Sequence, residues 1–306
     1  MQVVPRGLRP LLARSPRACH PSTRIRCAVH TSTTATSTTN DPSSSSRPHN
    51  PTSPSTNPTN STHFGFRSVP EESKEALVRG VFDSVASSYD LMNDAMSLGV
   101  HRLWKDSFVS LLRPGSSGPI RARETHGDRE TRVDVVDING EMLKEGYTRF
   151  KKTMYHNTPQ VAFIEGNAQA LPLDTFPDNT YDLYTIAFGI RNVTSIPDVL
   201  REAHRVLKPG GIFACLEFNK VTNPLLAQFY DQYSFSVIPL LGTILAGDRA
   251  SYQYLVESIR RFPSQGDFAR MIAEAGLAIG GDFEGDDGAW RDLWGGIACI
   301  HTGVKK

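Results

Sequence analysis

A carboxylate ends one of the most apolar stretches in the middle of the chain. Residues 131–143 read TRVDVVDINGEML, where an apolar run stops at Asp137 and passes directly into helix-forming residues. In many α/β proteins an acid at the end of a buried strand accepts hydrogen bonds from the two hydroxyls of a ribose. Asp137 is therefore a candidate nucleoside-binding residue. A solvated strand-end acid or a cap for the next helix is the alternative interpretation.

Three other predicted strands are also followed by polar residues. Asn167 and Ala168 follow VAFIEG, Arg191 and Asn192 follow YDLYTIAFGI, and Glu217 lies near the end of IFACLEF. The carboxyl ends of parallel strands form one edge of a sheet, where open α/β folds bind their ligands. The pattern predicts a small-molecule site at this edge, although an ordinary turn is the simpler interpretation of Asn167 on spacing alone.

The elements that would position these residues alternate along the chain. Strands at RVDVVDI, VAFIEGN, YDLYTIAFGI and IFACLEF are separated by helical segments, one capped by Asn139 and one ended by the KPGG of residues 208–211. Two or three amphipathic helices precede them, an apolar helical stretch and two further helices follow, and a strand pair comes last. This order predicts βαβ units and a mainly parallel sheet with helices on both faces.

The first 62 residues differ in composition from the rest. Residues 1–40 contain six arginines and neither a lysine nor an acid, and serine and threonine crowd residues 31–62. Such a composition is typical of an organelle-targeting peptide, and a merely disordered tail is the alternative. We predict a mitochondrial presequence and a disordered Ser/Thr/Pro-rich spacer over residues 1–62, and a folded domain over residues 63–306.

Bulk composition narrows the function further. The net charge is +1, so no basic excess points to a nucleic-acid partner. The four cysteines have neither CxxC nor another metal-ligand spacing, which predicts no metal and a reducing compartment. No apolar run reaches the roughly 18 residues that a membrane-spanning helix needs.

Four long strings carry a resemblance to a known family. They are VFDSVASSYDLMNDAMSLGVHRLWKD (81–106), IAFGIRNVT (186–194), RVLKPGGIFACLEF (205–218) and SYQYLVESIRRFP (251–263). The chain resembles the ubiquinone/menaquinone-biosynthesis C-methyltransferases over most of residues 75–304. The resemblance implies a class I, Rossmann-like methyltransferase fold, S-adenosylmethionine as methyl donor, and C-methylation of a polyprenyl benzoquinol in ubiquinone biosynthesis. It also implies a place in a multi-subunit complex on the matrix side of the mitochondrial inner membrane.

The resemblance also implies roles for individual residues. Asp137 would accept hydrogen bonds from the ribose of the donor, and Asn167 with Ala168 would contact its adenine. Arg191 and Asn192 are the catalytic candidates on a different ground, because they follow the strand YDLYTIAFGI at the edge where the ring would react. An arginine is a poor base because its pKa exceeds about 12, so Arg191 would stabilise a phenolate or orient a water that takes the proton.

Several of these residues have other interpretations. Pairing with Asp90 or Asp94 is the structural alternative for Arg191. Tyr89 and Asp90 in SYDLMND look like part of a lid over the donor. Glu217, His101 and His301 are further polar candidates with no stronger claim.

One segment of the family pattern is missing. Family members carry a strand and a glycine loop before RVDVVDIN, whereas residues 114–131 here read PGSSGPIRARETHGDRET, with Ile120 as their one large apolar residue. Gly115 and Gly118 imitate the expected spacing to Asp137, but no apolar helix follows them. We therefore expect the chain to lack the first strand and the glycine loop. The alternative function is a truncated, inactive homologue that acts at most as a scaffold in the quinone-synthesis complex.

An aromatic-rich apolar stretch from Phe229 to Leu241 lies within a longer apolar segment, residues 225–245, that is predicted to be helical. It could line a polyprenyl tail and contact a membrane surface, since the implied substrate lives in the bilayer. A core helix or a dimer face is the alternative, because the helical periodicity is imperfect and a basic face is absent.

Overall fold

The structure is a computed structural model of the 306-residue chain. It describes residues 24–28, 61–85, 93–94, 97, 99–112, 132–153, 155–156, 158–240, 243, 248–279 and 289–306, and for residues 24–28 and 84–85 it gives the backbone alone. Tyr89, Asp90, Gly115 and Gly118 lie outside the described residues. Within the described ranges, no helix is both long enough and apolar enough to cross a membrane.

Eight of the described strands belong to one mixed sheet, with the bounds β1 Arg24–Ala28, β4 Arg132–Asp137, β5 Val161–Glu165, β6 Tyr181–Ala187, β7 Leu207–Phe218, β8 Leu277–Ala278, β9 Trp290–Leu293 and β10 Ala298–Lys305. Their order in the sheet is β5-β4-β1-β6-β7-β10-β8, with β9 paired to β10. The strands β2 (Ser61–Phe64) and β3 (Arg67–Pro70) form a separate hairpin. The five strands from β5 to β7 are parallel, and β8, β9 and β7 each pair antiparallel to β10. The prediction of a mainly parallel sheet is confirmed.

Helices cover both faces of the sheet, as predicted. Their bounds are α1 Glu71–Val85, α2 His101–Leu112, α3 Gly140–Phe150, α4 Ile196–Val206, α5 Pro224–Gln232, α6 Arg249–Arg261 and α7 Gln265–Glu274, with a 3-10 turn at Ile190–Asn192 and a π-helical turn at Tyr233–Val237. Helices α1, α2 and α6 pack over one face with Leu183, and α4 and α7 pack over the other with Tyr184. Adjacent residues of β6 thus enter opposite cores, as the period of two in a strand requires.

Local sequence signals set the helix bounds. The Asn139 side chain accepts hydrogen bonds from the amides of Glu141 and Met142 and caps α3, as predicted. Ser195 caps α4, with Pro197 in its first turn. Helix α4 ends at Val206 and the chain passes directly into β7, where Gly210 takes a positive φ of 81°. A turn from helix to strand at KPGG is therefore confirmed.

The centre of the sheet differs from the expectation. Arg24–Ala28 lies between β4 and β6, although we expected the sheet to lack its first strand and placed these residues outside the domain. The edges of β4 and β6 each present backbone donors and acceptors, and an extended segment from the N-terminal region pairs with both. The domain boundary at residue 62 stays a prediction, although the strand β1 of the sheet precedes that boundary in the sequence. The expectation of an empty first-strand position is wrong for the backbone.

With β1 counted first, the parallel strands follow the order 3-2-1-4-5, the doubly wound arrangement. The strand order reverses between β1 and β6, where such sheets open a crevice at the carboxyl ends of their strands. The sequence contains no glycine between Ala28 and Gly65, so no glycine-rich loop follows β1. Residues 24–28 thus occupy the position of the first strand, but the sequence after them does not contain the glycines of the expected loop.

Candidate functional site

Asp137 ends β4 at the edge predicted for the site. Asp137 is 2% exposed, and its Oδ1 accepts a hydrogen bond of 2.8 Å from the backbone amide of Asn139. The structure thus places Asp137 as a buried acid that orients the start of α3, and the interpretation as a solvated acid is wrong. A carboxylate held at a strand end beside a helix N-terminus has the geometry that ribose recognition uses.

Asn167 and Ala168 lie beside Asp137. The amide of Gly166 donates to the carbonyl of Asp137 at 3.0 Å, so the ends of β4 and β5 are adjacent. Ala168 is buried, and the Asn167 side chain accepts a hydrogen bond of 2.9 Å from the amide of Gln169. The side chain therefore stabilises a local turn. Any contact with an adenine at this edge would use backbone groups or the side-chain NH2 group of Asn167.

Arg191 forms a buried ion pair with Glu217. Its Nη1 lies 2.6 Å from Glu217 Oε1 and donates to the carbonyl of Phe188 at 2.7 Å, and both charged side chains are 1% exposed. Arg191 thus has a structural ion pair, but its partner is Glu217 and not Asp94, whose carboxylate binds Arg102 at 2.9 Å. Asp90, the other acid considered, lies outside the described residues. Strands β6 and β7 run parallel and adjacent, which brings the residue after one strand to the acid near the end of the other.

Burial and charge act in opposite directions on Glu217. Removal from water raises the pKa of Glu217 above its usual range, and the Arg191 guanidinium together with two backbone amides opposes that rise. The guanidinium also lies over the Phe218 ring at 5.4 Å. A fixed cation with a buried counter-ion is thus built into the carboxyl edge of the sheet.

Two buried donors at this edge lack an acceptor within the described part of the chain. They are Arg191 Nε and Asn219 Nδ2, which follow β6 and β7 respectively. Leaving a buried donor unsatisfied costs about 1–3 kcal/mol, so such groups commonly mark a bound water or ligand. An oxygen-bearing ligand at the edge would supply the missing acceptors.

Tyr254 holds Asn192. The tyrosine hydroxyl donates to Asn192 Oδ1 at 3.2 Å, and its ring stacks on Phe64 with centroids 4.3 Å apart. Burial raises the pKa of Tyr254, so the hydroxyl remains a neutral donor. No pattern in the sequence predicts this role of Tyr254, although the residue lies in the string SYQYLVESIRRFP.

A cavity of about 360 Å³ lies next to these residues. Its lining includes Lys74, Arg191, Thr194, Tyr254 and Phe262. Neither Asp137 nor Asn167 lines it. The edge of the sheet therefore has two parts, with the acid and amide after β4 and β5 on one side and the cavity beyond β6 on the other.

Lys74 brings a second buried cation to the cavity. Its Nζ donates to the carbonyl of Val193 at 2.7 Å. Burial lowers the pKa of Lys74 from 10.5 to about 8, with a smaller opposing effect from Glu71. Folding thus disfavours the charged form of this side chain.

This shift predicts a pH dependence of stability. Between pH 8 and 10.5 the unfolded chain holds a proton on Lys74 that the folded chain has released, so the contribution of Lys74 to the free energy of unfolding should rise with pH. One pKa unit corresponds to about 1.4 kcal/mol, so the rise should reach about 2–3 kcal/mol. Urea unfolding measures this contribution as the difference in free energy of unfolding between the native chain and Lys74→Met, which should change by this amount over the range. The Cys215 thiol and the buried tyrosines, whose pKa values burial raises, contribute with the opposite sign and equally in both chains. Lys144→Met, at an exposed site, serves as the control, and parallel curves for native chain and Lys74→Met would contradict the prediction.

The two histidine candidates have structural contacts. His101 Nδ1 lies 3.1 Å from Ser97 Oγ at the start of α2. His301 Nε2 lies 3.0 Å from the carbonyl of Gln265, and burial lowers the pKa of His301 to about 4, so its ring is neutral at physiological pH. Across the described residues, no group of three His, Cys, Asp or Glu side chains could hold a metal ion.

The apolar stretch is divided between core and surface. It continues from α5 into the π-helical turn, as a helical prediction requires. Tyr230 and Ile238 are buried, whereas Leu225 is 72% and Phe229 is 76% exposed. A purely core helix is therefore wrong, and an apolar surface remains on this element.

The residues present fit one half of the implied donor. Asp137 and the adjacent turn at Asn167 suit a ribose and an adenine, which need an acceptor for two hydroxyls and a polar strand end. The methionine half normally requires close backbone approach at a glycine loop, and none follows β1. The doubly wound sheet with an acid at the end of its second parallel strand agrees with the class I methyltransferase fold that the resemblance implies.

Residues 70–305 match the ubiE/COQ5 methyltransferase family, and the chain belongs to that family. It is therefore a member of a family of C-methyltransferases that use S-adenosylmethionine. The expected resemblance and methyl donor are confirmed.

Three relatives illustrate the similarity. The chain is 55% identical to "2-methoxy-6-polyprenyl-1,4-benzoquinol methylase, mitochondrial" of Schizosaccharomyces pombe over 263 positions, which cover 80% of this chain and 84% of the relative. It is 45% identical to the protein of the same name in Dictyostelium discoideum, with 80% and 86% covered. It is 49% identical to "Ubiquinone/menaquinone biosynthesis C-methyltransferase UbiE" of Rhodopseudomonas palustris, with 80% and 97% covered.

The alignment lengths carry a further finding. The alignment with the S. pombe relative has 263 positions, more than the 80% of the 306 residues of this chain that it includes. That relative therefore has residues without a counterpart here.

A solved S-adenosylmethionine-dependent methyltransferase of Aquifex aeolicus is 16% identical, with a TM-score of 0.38 over 58% of this chain and 71% of that chain. The fold class rests on the family and the strand order.

Proposed function

We propose that the chain transfers the methyl group of S-adenosylmethionine to a ring carbon of a polyprenyl benzoquinol in ubiquinone biosynthesis. The observation that carries this proposal is the 55% identity to a relative named for that methylation. The proposed location is the matrix side of the mitochondrial inner membrane. The word "mitochondrial" in the names of relatives and the arginine-rich, acid-free N-terminus support it.

Asp137, Asn167 and Ala168 are the proposed donor-binding residues. The carboxylate of Asp137 would accept hydrogen bonds from the ribose hydroxyls, and the backbone at residues 167–168 would contact the adenine edge. The adjacency of the two strand ends, through the bond from Gly166 to Asp137, supports a shared nucleoside site. Bound S-adenosylmethionine supplies an electrophilic methyl group on its sulfonium.

Arg191 and Asn192 are the proposed catalytic residues. Methyl transfer depends chiefly on in-line positioning and exclusion of water, and a ring carbon gains electron density when the phenol loses its proton. Arg191 Nε is a buried donor without an acceptor among the described residues, so it could donate to the phenolate oxygen. Glu217 holds the guanidinium in place, and Tyr254 holds the Asn192 amide for the same ring.

The cavity beyond β6 is the proposed place of the quinol ring. It has about 360 Å³ and is lined by Arg191 and Tyr254. The exposed side chains of Leu225 and Phe229 support a contact with the tail or with the membrane surface. A multi-subunit ubiquinone-synthesis complex is the proposed setting, and this apolar surface is the feature that would serve such a contact.

A methylation assay tests the proposal. The full chain would be supplied with S-adenosylmethionine labelled in its methyl group and a short-tailed benzoquinol, and the labelled product would be identified by mass. Asp137→Asn should raise the KM for the donor at least about tenfold with kcat nearly unchanged, since hydrogen bonds to a charged group contribute about 1.5–3 kcal/mol. Asp134→Asn is the matched control, because the Asp134 carboxylate on the same strand accepts from the Tyr181 hydroxyl instead. Equal KM values in the two variants would contradict the donor assignment.

A second candidate function is a non-catalytic member of the quinone-synthesis complex. The absence of glycine between Ala28 and Gly65, and the relatives' extra aligned residues, favour it. Calorimetric titration separates the two candidates. Binding of S-adenosylmethionine that Asp137→Ala abolishes supports the enzyme, and a folded chain that shows neither binding nor product supports the scaffold.

A further inference from the structure

The gap between β4 and β6 is filled by a strand from an unexpected part of the chain. Arg24 pairs with Arg132 and Cys27 with Val135 on β4, and Ile25 pairs with Leu183 on β6, all in parallel register. Residues 24–28 therefore make the only backbone bridge between the two halves of the parallel sheet, as far as the described strands extend. Without them, the facing edges of β4 and β6 would be two strand spacings apart and unpaired.

This strand is attached to the domain differently from its neighbours. β4 and β5 are joined through α3, and β6 and β7 through α4. After β1, by contrast, residues 29–60 come before β2 begins at Ser61. The entropy of closing a loop grows only slowly with its length, so a connection of this length costs little more than a short one and leaves β1 free to separate without moving β4 or β6.

The composition of the strand also differs from that of its neighbours. Strands in parallel sheets are usually near-continuous apolar runs, as in LYTIA of β6. Residues 24–28 read RIRCA, with two of the six arginines that mark the N-terminal region as an organelle-targeting segment. The same five residues thus belong to a sheet strand and to a predicted targeting signal.

We propose that residues 24–28 are a detachable strand, and that docking in the sheet and use as a targeting signal exclude each other. A strand bonded along both edges has no free backbone to present to a receptor. A groove opens between β4 and β6 when the strand separates, or when processing cleaves the chain after Ala28 and removes residues 24–28. This groove accepts one parallel strand. The occupant of that groove in the full chain is its own residues 24–28.

A register-specific cross-link tests the exclusion. In a Cys19→Ser background, Val135→Cys puts a second cysteine at the backbone position paired with Cys27, and Cα atoms of paired neighbouring strands lie within disulfide reach. Val133→Cys, opposite Ile25 on the same strand, is the matched control. The oxidised Val135→Cys chain should enter isolated mitochondria at less than about a tenth of the rate of its reduced form, whereas oxidation should not change import of the control. Equal import of the oxidised and reduced forms, or no link to Cys27, would overturn the proposal.

Hydrogen exchange tests whether the strand detaches. Cys27→Pro removes a ladder donor from a central position, and Thr36→Pro in the same N-terminal region is the control. Residues 132–137 and 181–187 should exchange at least about tenfold faster in Cys27→Pro and unchanged in Thr36→Pro, with the β7–β10 ladder protected in both. A peptide of residues 22–30 added to Cys27→Pro should restore the protection. Unchanged exchange would show that β1 is not docked, and loss of protection throughout the sheet would show an obligatory strand; either overturns the proposal.

Discussion

Glu217→Gln is expected to lower the free energy of unfolding by about 3–5 kcal/mol, because it leaves the Arg191 guanidinium buried without its counter-ion. The two side chains are 2.6 Å apart and 1% exposed, so water cannot replace the lost carboxylate. A glutamine keeps one acceptor oxygen for the bonds that Glu217 Oε1 makes to Arg191 Nη1 and the Phe218 amide. Its NH2 group cannot replace Oε2, which accepts from the backbone amide of Arg191 at 3.4 Å. Urea unfolding of the native chain and the variant at neutral pH measures the difference.

Two controls make this result specific. Glu145→Gln removes an acid from the pair with Arg149 on α3, whose side chains are 39% and 49% exposed, and should cost less than about 1 kcal/mol. Replacing both Arg191 and Glu217 by methionine should recover most of the stability lost in Glu217→Gln, because no unpaired charge remains. An equal cost for Glu217→Gln and Glu145→Gln would show that the buried pair does not stabilise the fold.

The parts of the fold that the sequence predicts are those with local signals. β6 and β7 are apolar runs of strand length, and Asn139 and Ser195 stand where helix caps are preferred. The alternation of these elements predicts a parallel sheet, and the parallel sheet predicts that Asp137 lies at its carboxyl edge.

The parts that the sequence does not predict depend on register between distant segments. Arg191 and Glu217 are 26 positions apart, and their contact follows from the pairing of β6 with β7, which neither segment specifies alone. Tyr254 and Asn192 are 62 positions apart and meet through the packing of α6 beside the edge of β6. Residues 24–28 carry two arginines and are too short to be recognised as a central strand. Their place follows from the facing edges of β4 and β6, whose backbone groups they pair.

Replacing residues 113–131 with the corresponding segment of the S. pombe relative is expected to tighten S-adenosylmethionine binding about 100-fold or more. The chain as it stands offers an acid and an amide for the nucleoside, whereas no glycine loop follows β1 to bring backbone amides to the methionine carboxylate. A hydrogen bond to a charged group contributes about 1.5–3 kcal/mol, so two such amides would account for the gain. Titration calorimetry of the native and replaced chains measures it.

The matched control for this replacement is the same segment with its glycines changed to alanine, which keeps the length and the strand and removes the close approach of the backbone. That control should bind the donor no better than the native chain. Equal affinity of the native and replaced chains would mean that the present strand ends suffice, and the scaffold function would lose its main support.

The replacement also tests what occupies the middle of the sheet. The inserted strand and residues 24–28 would compete for one position between β4 and β6, and the inserted strand has the advantage of a short connection to β4. In the replaced chain, Cys27→Pro should therefore leave hydrogen exchange in β4 and β6 unchanged, whereas in the native chain it should accelerate exchange in both. A gain in donor affinity without this change in exchange would mean that the loop binds the donor while β1 stays in the sheet. The two measurements together separate the role of the glycine loop from the role of the strand.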